Sequence, residues 1–405
     1  MADKLTGNLL VGQSGGPTAV INSSLCGVVQ EAMKHEQIQG IYGAVHGVEG
    51  ILKEQMIDLR QESAETIDLL RQTPSAALGS CRRKLKESDY GRILGIFQKY
   101  NIRYFHYIGG NDSQDSSYQI SKLATDRGYE LRVIGVPKTV DNDLDVTDHS
   151  PGYGSVARFI AIATRDAGLD TEAIGVVDTV KIIETMGRNA GWITAGAALA
   201  KEEPDDAPHL VYVPERTLDL DQFLSDVQRV YDRLGYAVVA VCEGLKNKKG
   251  ESIVASGSAI DTDSFGHKQH GGVGDFLCDV IKNKIQLKAR CDKPATIQRV
   301  SMIAASSVDL AEAYQVGVVA VREAVAGKTD FMVTLVRQPG KTYSCTTGLA
   351  TLVDAANKEK KLPDHFINPE GNGLTEAFLD YARPLIGGPL PRYARLKKRL
   401  VKREG

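Results

Sequence analysis

Thr139-Val140-Asp141-Asn142-Asp143 places two carboxylates two residues apart, just after an apolar run. In an extended segment such residues project to the same side. Two carboxylates held together repel unless a cation or substrate lies between them, so one can take up a proton while the other holds Mg²⁺. Taken alone, the pentapeptide reads equally well as a solvated Asx-rich turn. Gly109-Gly110-Asn111-Asp112-Ser113 joins two glycines to polar groups suited to a metal or a phosphate. Ser14-Gly15-Gly16 precedes a helical pattern. Glycines let backbone N–H groups approach an anion, and a helix N-terminus adds partial positive charge. A Walker A loop is absent. Gly327-Lys328-Thr329 has Arg322 where the first glycine is needed, and Gly340-Lys341-Thr342 has Leu335 there.

Each glycine- or carboxylate-rich turn follows a short apolar run. Residues 8–12, 104–108 and 131–136 read as strands, and 19–34 carries apolar residues at helical spacing. Residues 210–214, 237–242 and 332–337 are further strands. Strand, turn, helix is the unit of a parallel α/β sheet, and ligands of such sheets bind beyond the carboxyl ends of the strands. The expected fold is α/β: two doubly wound Rossmann-like lobes with an active-site cleft between them. The approximate division is residues 1–150, 151–300, a return segment 301–340 packing on both lobes, and a C-terminal extension 341–405. Two stretches read as surface: 246–272, rich in Gly, Ser, Asp and Lys, and the basic tail 392–405.

Composition bounds the rest. The 405 residues suffice for two or three domains. Hydrophobic residues at 42% and charged residues at 25% exclude a disordered chain. Forty-nine basic against 51 acidic residues, a net charge of −2, give no global attraction to nucleic acid or an anionic membrane. No apolar run is long enough to span a bilayer. The first residues lack the pattern of a secretory signal, and the six cysteines form no CxxC pair, so a cytoplasmic location is expected.

In order along the chain, these motifs resemble the phosphofructokinase family from about residue 8 to about residue 330. The resemblance rests on Gly15-Gly16, Leu78-Gly79-Ser80-Cys81-Arg82, the 109–113 turn, the 139–143 loop, Met186-Gly187-Arg188, Glu243-Gly244, and Arg290 nine positions before Arg299. It implies a phosphotransferase of glycolysis and gluconeogenesis acting on fructose 6-phosphate, with Asp141 as the base. It also implies a homodimer or homotetramer. Family members that use ATP generally have glycine at the positions of Asp112 and Lys138. The pair found here resembles the pyrophosphate-using branch: a carboxylate at 112 occupies the place of the nucleotide's α-phosphate and ribose, and Lys138 meets a small, highly charged donor.

The resemblance thus assigns roles. Gly15, Arg82, Asp112 and Lys138 bind pyrophosphate in the first lobe. Thr139, Asp141, Met186, Gly187, Arg188, Glu243, Arg290 and Arg299 bind the sugar phosphate. Asp141, Lys138, Asp112 and Arg188 are the catalytic set, and Asp112, Asp143 and Asn111 hold Mg²⁺. An ordinary aspartate near pKa 4 is a weak base, which phosphoryl transfer tolerates because positioning and charge stabilisation dominate. Three positions depart from the pattern: Asn111 replaces an acid, Thr296 a His or Tyr, and Thr179 an Arg that reaches across a subunit boundary, with Lys181 close by in sequence. Residues after about 340, including 368–372, read as scaffold and surface.

Overall fold

The computed structural model describes residues 5–401 apart from 176, 255–258, 263–267, 271, 357 and 398. Parts of the 246–272 excursion, including His267 and Gly271 of its His-Lys-Gln-His-Gly-Gly run, therefore lie outside the described residues, as does the end of the basic tail.

Thirteen strands are described: β1 (Gly7–Gln13), β2 (Ile38–Ala44), β3 (Met56–Asp58), β4 (Ile102–Gly109), β5 (Arg132–Pro137), β6 (Val180–Thr185), β7 (Leu210–Tyr212), β8 (Ala237–Cys242), β9 (Ala259–Thr262), β10 (Lys268–His270), β11 (Ala289–Asp292), β12 (Phe331–Arg337) and β13 (Cys345–Thr351). The larger sheet runs β13-β12-β5-β4-β1-β2-β3. Its five inner strands are parallel, and β3 and β13 pair antiparallel at its edges. The smaller sheet, β11-β6-β8-β7, is parallel throughout. Buried on both faces, β1, β4, β5 and β8 are near-continuous apolar runs, as parallel strands must be.

Chain order explains why the turns meet. Strands β5, β4 and β1 are neighbours, so the turns beginning at Ser14, Gly110 and Lys138 emerge side by side at one edge. Strands β6 and β8 are neighbours in the other sheet, which sets Met186-Gly187-Arg188 beside Glu243. Helices Ile21–Ala32 and Ser307–Val325 pack together on one face of the larger sheet. They cross where Gly27 meets the Tyr314 carbonyl and Gly317 meets the Ser24 carbonyl; a Cβ at either glycine would stand 2.2 Å from that oxygen. The chain therefore returns to its first lobe late, and helix Ser307–Val325 and β12 complete a core begun by β1.

The C-terminal part serves both lobes. β13 extends the larger sheet, while Phe366, Phe378 and Leu385 bury against Trp192 and Tyr153. The 368–372 turn is scaffold: Asn372 Nδ2 donates to Asp226 (2.8 Å), and its carbonyl accepts from Val211 N–H (2.9 Å). In the tail, Arg395 pairs with Glu172 and Asp206, and Tyr393 donates to Asp166. All six cysteines are free. Among the described residues, no helix is long and apolar enough to cross a membrane.

Candidate active site

A cavity of about 600 Å³ lies between the strand ends of the two sheets. One wall carries Gly15, Arg82, Asn111, Asp112, Lys138, Thr139, Asp141 and Asp143; the other carries Met186, Gly187, Arg188 and Glu243. Twelve of the fourteen residues expected from sequence thus meet in one place.

The first turn differs from expectation in one respect. The helix after Gly15-Gly16 begins only at Ile21, and Thr18 Oγ1 accepts from Val20 N–H (3.2 Å) and Ile21 N–H (2.9 Å). The helix end is therefore satisfied internally, and the glycine backbone itself faces the cavity. Gly15 has φ +75°, and a Cβ there would come within 3.1 Å of Lys138 Nζ. Ser80 Oγ donates to the Gly15 carbonyl (2.5 Å), and Gly15 N–H donates to the Cys81 carbonyl (3.1 Å), which ties the turn to the Arg82 segment.

Lys138 is 4% exposed, and its ammonium donates to the Gly16 carbonyl (2.9 Å). Burial lowers its pKa to about 8; Arg299 and Arg82 push the same way, while Asp141 and Asp143 oppose. Asn111 and Asp112 form the first turn of helix Asn111–Asp126, where a carboxylate suits the helix dipole.

The acidic loop is not an extended segment, so the shared side of Asp141 and Asp143 is not produced by a pleat. Asn142 between them has φ 53°, a left-handed conformation. Both carboxylates nonetheless line the cavity. Burial raises Asp141 to about 7, with Asp143 and Glu243 adding to the rise and Lys138 and Arg188 opposing it. Asp141 is therefore a far better base near neutrality than an ordinary aspartate. Burial also raises Asp143. Asn111 Nδ2 donates to Asp143 Oδ2 (3.4 Å), whereas Asn111 Oδ1 and Asp143 Oδ1 are buried without a hydrogen-bond partner.

On the opposite wall, Arg188 Nε stands 3.5 Å from Glu243 Oε1. Burial raises the Glu243 pKa, and Arg188 opposes the rise. Gly244 must be glycine, because a Cβ there would stand 1.9 Å from the Arg188 carbonyl. Buried Gln298 accepts from Met186 N–H (3.2 Å) and so fixes the Met-Gly-Arg turn.

Two expected residues are not among those lining the cavity. Arg299 lies against the glycine turn: a Cβ on Gly16 would be 3.1 Å from its Nη1. Its electrostatic neighbours there are Arg82 and Asp141. Arg290 is not brought to the cavity at all. It stands on edge strand β11, mostly exposed, with Nε 2.6 Å from Asp178. Thr179 and Lys181 sit on the neighbouring strand segment, where Lys181 pairs with Asp292 (2.9 Å).

Sequence reasoning missed Glu359, which lines the cavity next to the Asp143 segment. It belongs to the charge run Lys358-Glu359-Lys360-Lys361, which has the look of a solvated surface, and no local signal marks it.

Comparison with known proteins bears on this arrangement directly. The phosphofructokinase family model matches residues 8–324. The chain belongs to the phosphofructokinase family. It is 43% identical over 400 residues to a pyrophosphate–fructose 6-phosphate 1-phosphotransferase of Rhodospirillum rubrum, covering 98% of both chains. A protein of the same name from Halomonas elongata is 42% identical, again with 98% of each covered. The crystal structure of a pyrophosphate-dependent phosphofructokinase from Marinobacter aquaeolei superposes with a TM-score of 0.86 at 41% identity over 98% of each chain. Within this family frame, both walls of the cavity hold family motifs, while the Glu359 segment lies beyond the residues that the family model matches.

Proposed function

We propose that this chain reversibly transfers a phosphoryl group from pyrophosphate to the 1-hydroxyl of fructose 6-phosphate, giving fructose 1,6-bisphosphate and phosphate. The observation that carries the donor choice is the pair Asp112 and Lys138 at adjacent strand ends: a carboxylate at the mouth of the donor wall, and a buried ammonium at its floor. Full-length similarity to relatives named for this reaction supports the same reading.

The sugar lies between the walls, with its hydroxyls against Met186, Gly187 and Glu243. Asp141 takes the proton of the 1-hydroxyl as that oxygen attacks phosphorus. Lys138, Arg82 and Arg188 hold charge on the transferring group, and the Gly15 backbone seats the donor. The residues fit Mg²⁺, since the unpartnered oxygens of Asn111 and Asp143 are hard donors of the kind it prefers. Asp143, Asn111 and Asp112 would hold it, and when bound it neutralises charge on the donor oxygens. Arg299 and Arg290 are the cations assigned to the 6-phosphate. Because Arg290 is mostly exposed and does not line its own chain's cavity, we assign it to the site of a second copy, in a homodimer or homotetramer.

Initial rates with fructose 6-phosphate, Mg²⁺ and either pyrophosphate or ATP test the reading. Pyrophosphate is expected to be the better donor by at least ~10-fold in kcat/KM, which corresponds to a single charge-assisted contact. Equal or better use of ATP overturns the donor choice.

A further inference from the structure

The acidic loop draws part of its support from the C-terminal segment. Asn142 is fully buried in a left-handed conformation, and Asp141 and Asp143 hang from its two peptide bonds. What holds Asn142 comes from two places. Its Oδ1 accepts from Ser150 N–H (2.9 Å), and its Nδ2 donates to the Tyr381 hydroxyl (3.0 Å), more than two hundred residues away in sequence. That hydroxyl in turn donates to the Asp148 carbonyl (2.8 Å), so one phenol ties both limbs of the loop.

Lys360 closes the same loop from another side. Its backbone N–H donates to the Asp143 carbonyl (2.7 Å). Its ammonium donates to the carbonyls of Thr147 (3.0 Å) and Asp148 (2.7 Å). Its carbonyl accepts from Trp192 Nε1 (3.0 Å), and its ammonium lies 5.3 Å from the Trp192 ring centre. Trp192 opens the short helix that follows the Met186-Gly187-Arg188 turn, so Lys360 links the acidic loop to the segment behind the second wall. The Tyr381 ring is itself wedged between Trp192 and Phe366 and covered by Arg337.

We infer that Lys360 and Tyr381, carried by the C-terminal segment, are positioning residues for the Asp141–Asp143 loop: they hold Asn142 and the Asp143 carbonyl in the one geometry that turns both carboxylates into the cavity. The inference rests on the reading of Asp141 as proton acceptor. Neither residue touches the reacting atoms. Their effect is on the fraction of time Asp141 is aligned, and misplacement by about 1 Å can cost on the order of 10²-fold in rate.

The test uses the full chain and Tyr381→Phe, which keeps the ring packing and removes only the hydroxyl. Amide hydrogen exchange across residues 139–150 is expected to quicken roughly 10-fold, with β1 unchanged. Turnover is expected to fall roughly 10- to 100-fold, with KM for fructose 6-phosphate within about 3-fold of the parent chain. Asn142→Ala, which also loses the bond from Ser150 N–H, is expected to cost at least as much, and the double variant clearly less than the product of the two, because both singles lose the Asn142–Tyr381 bond. Tyr129→Phe, which loses a partly buried hydroxyl bonded to the Phe97 and Ile102 carbonyls outside the loop, is the control expected to keep its turnover. Lys360→Met gives a second route should Tyr381→Phe fail to fold, with the same exchange and turnover signature expected. Parental turnover and exchange in the loop variants, or a double variant whose loss equals the product of the singles, overturns the inference. If the parent chain turned over neither donor, the functional reading would fall instead, and the exchange arm would still decide the role of the clamp.

Discussion

On the wall built from the larger sheet, the chemical groups interlock. Lys138 bonds the Gly16 carbonyl, Ser80 bonds Gly15, Asn111 bonds Asp143, and three adjacent strands β5, β4 and β1 deliver the turns. On the wall built from the smaller sheet, the Met186–Arg188 turn and Glu243 are in place, but Arg290 faces outward from the edge strand β11 and is bonded to Asp178. The wall of the larger sheet, proposed to take the donor, is therefore complete within one chain, whereas the wall proposed to take the sugar phosphate leaves Arg290 outside the cavity. Under the proposed function, donor choice would then belong to the single chain, and acceptor affinity would draw on a second copy.

The hardest blow to this contrast falls where the walls meet. Asp141 is the proposed proton acceptor, and burial raises its pKa, with Asp143 and Glu243 on the two walls adding to the rise. Asp141→Ser is expected to cut kcat by at least ~10²-fold while KM for both substrates changes little. Near-parental turnover in steady-state assays removes Asp141 from the chemistry.

A smaller effect separates the donor wall from the sugar wall. Asp112→Gly combined with Lys138→Gly is expected to shift the ratio of kcat/KM for ATP over that for pyrophosphate upward by roughly 10-fold or more, since one charge-assisted contact is worth about that much. KM for fructose 6-phosphate should hold within a few-fold. A donor ratio that stays put, or a sugar KM that moves as far as the donor KM, erases the division of labour between the walls.

How much of this was legible in the sequence follows from which interactions are local. Strands β1, β4, β5 and β8 stand out as apolar runs because both of their faces are buried, and the turns after them are marked by glycine and acid. β6 carries Lys181 and Glu184, and β13 is Cys-Thr-Thr-Gly-Leu-Ala-Thr, an edge strand held by its partner β12, so neither announces itself by apolar content. The residue types of the 139–143 loop were legible, but its left-handed turn at Asn142 was not, because it depends on Ser150 and the distant Tyr381. The same reason hides Lys360. In sequence it is one of several charges in a row, and only tertiary contacts with Asp143, Thr147, Asp148 and Trp192 make it a half-buried clamp.

The raised pKa of Asp141 is the least local property of all, and it yields the smallest effect that still bears on the contrast. The folded value of about 7 exceeds the ordinary value of 3.8. Proton binding at this site therefore favours the folded chain: the contribution is fully present below pH ~4 and is lost as pH rises through about 7. Above that pH the buried carboxylate, facing Asp143 and Glu243, weighs against folding. Asp141→Asn keeps the shape and removes the charge, so it should unfold a few °C higher than the parent at pH 8, with the gap closing towards pH 4. Thermal unfolding of both chains across that range is the measurement. A gap that is constant with pH would mean the carboxylate is not desolvated between the walls, and would take the walls' shared control of the proton acceptor with it.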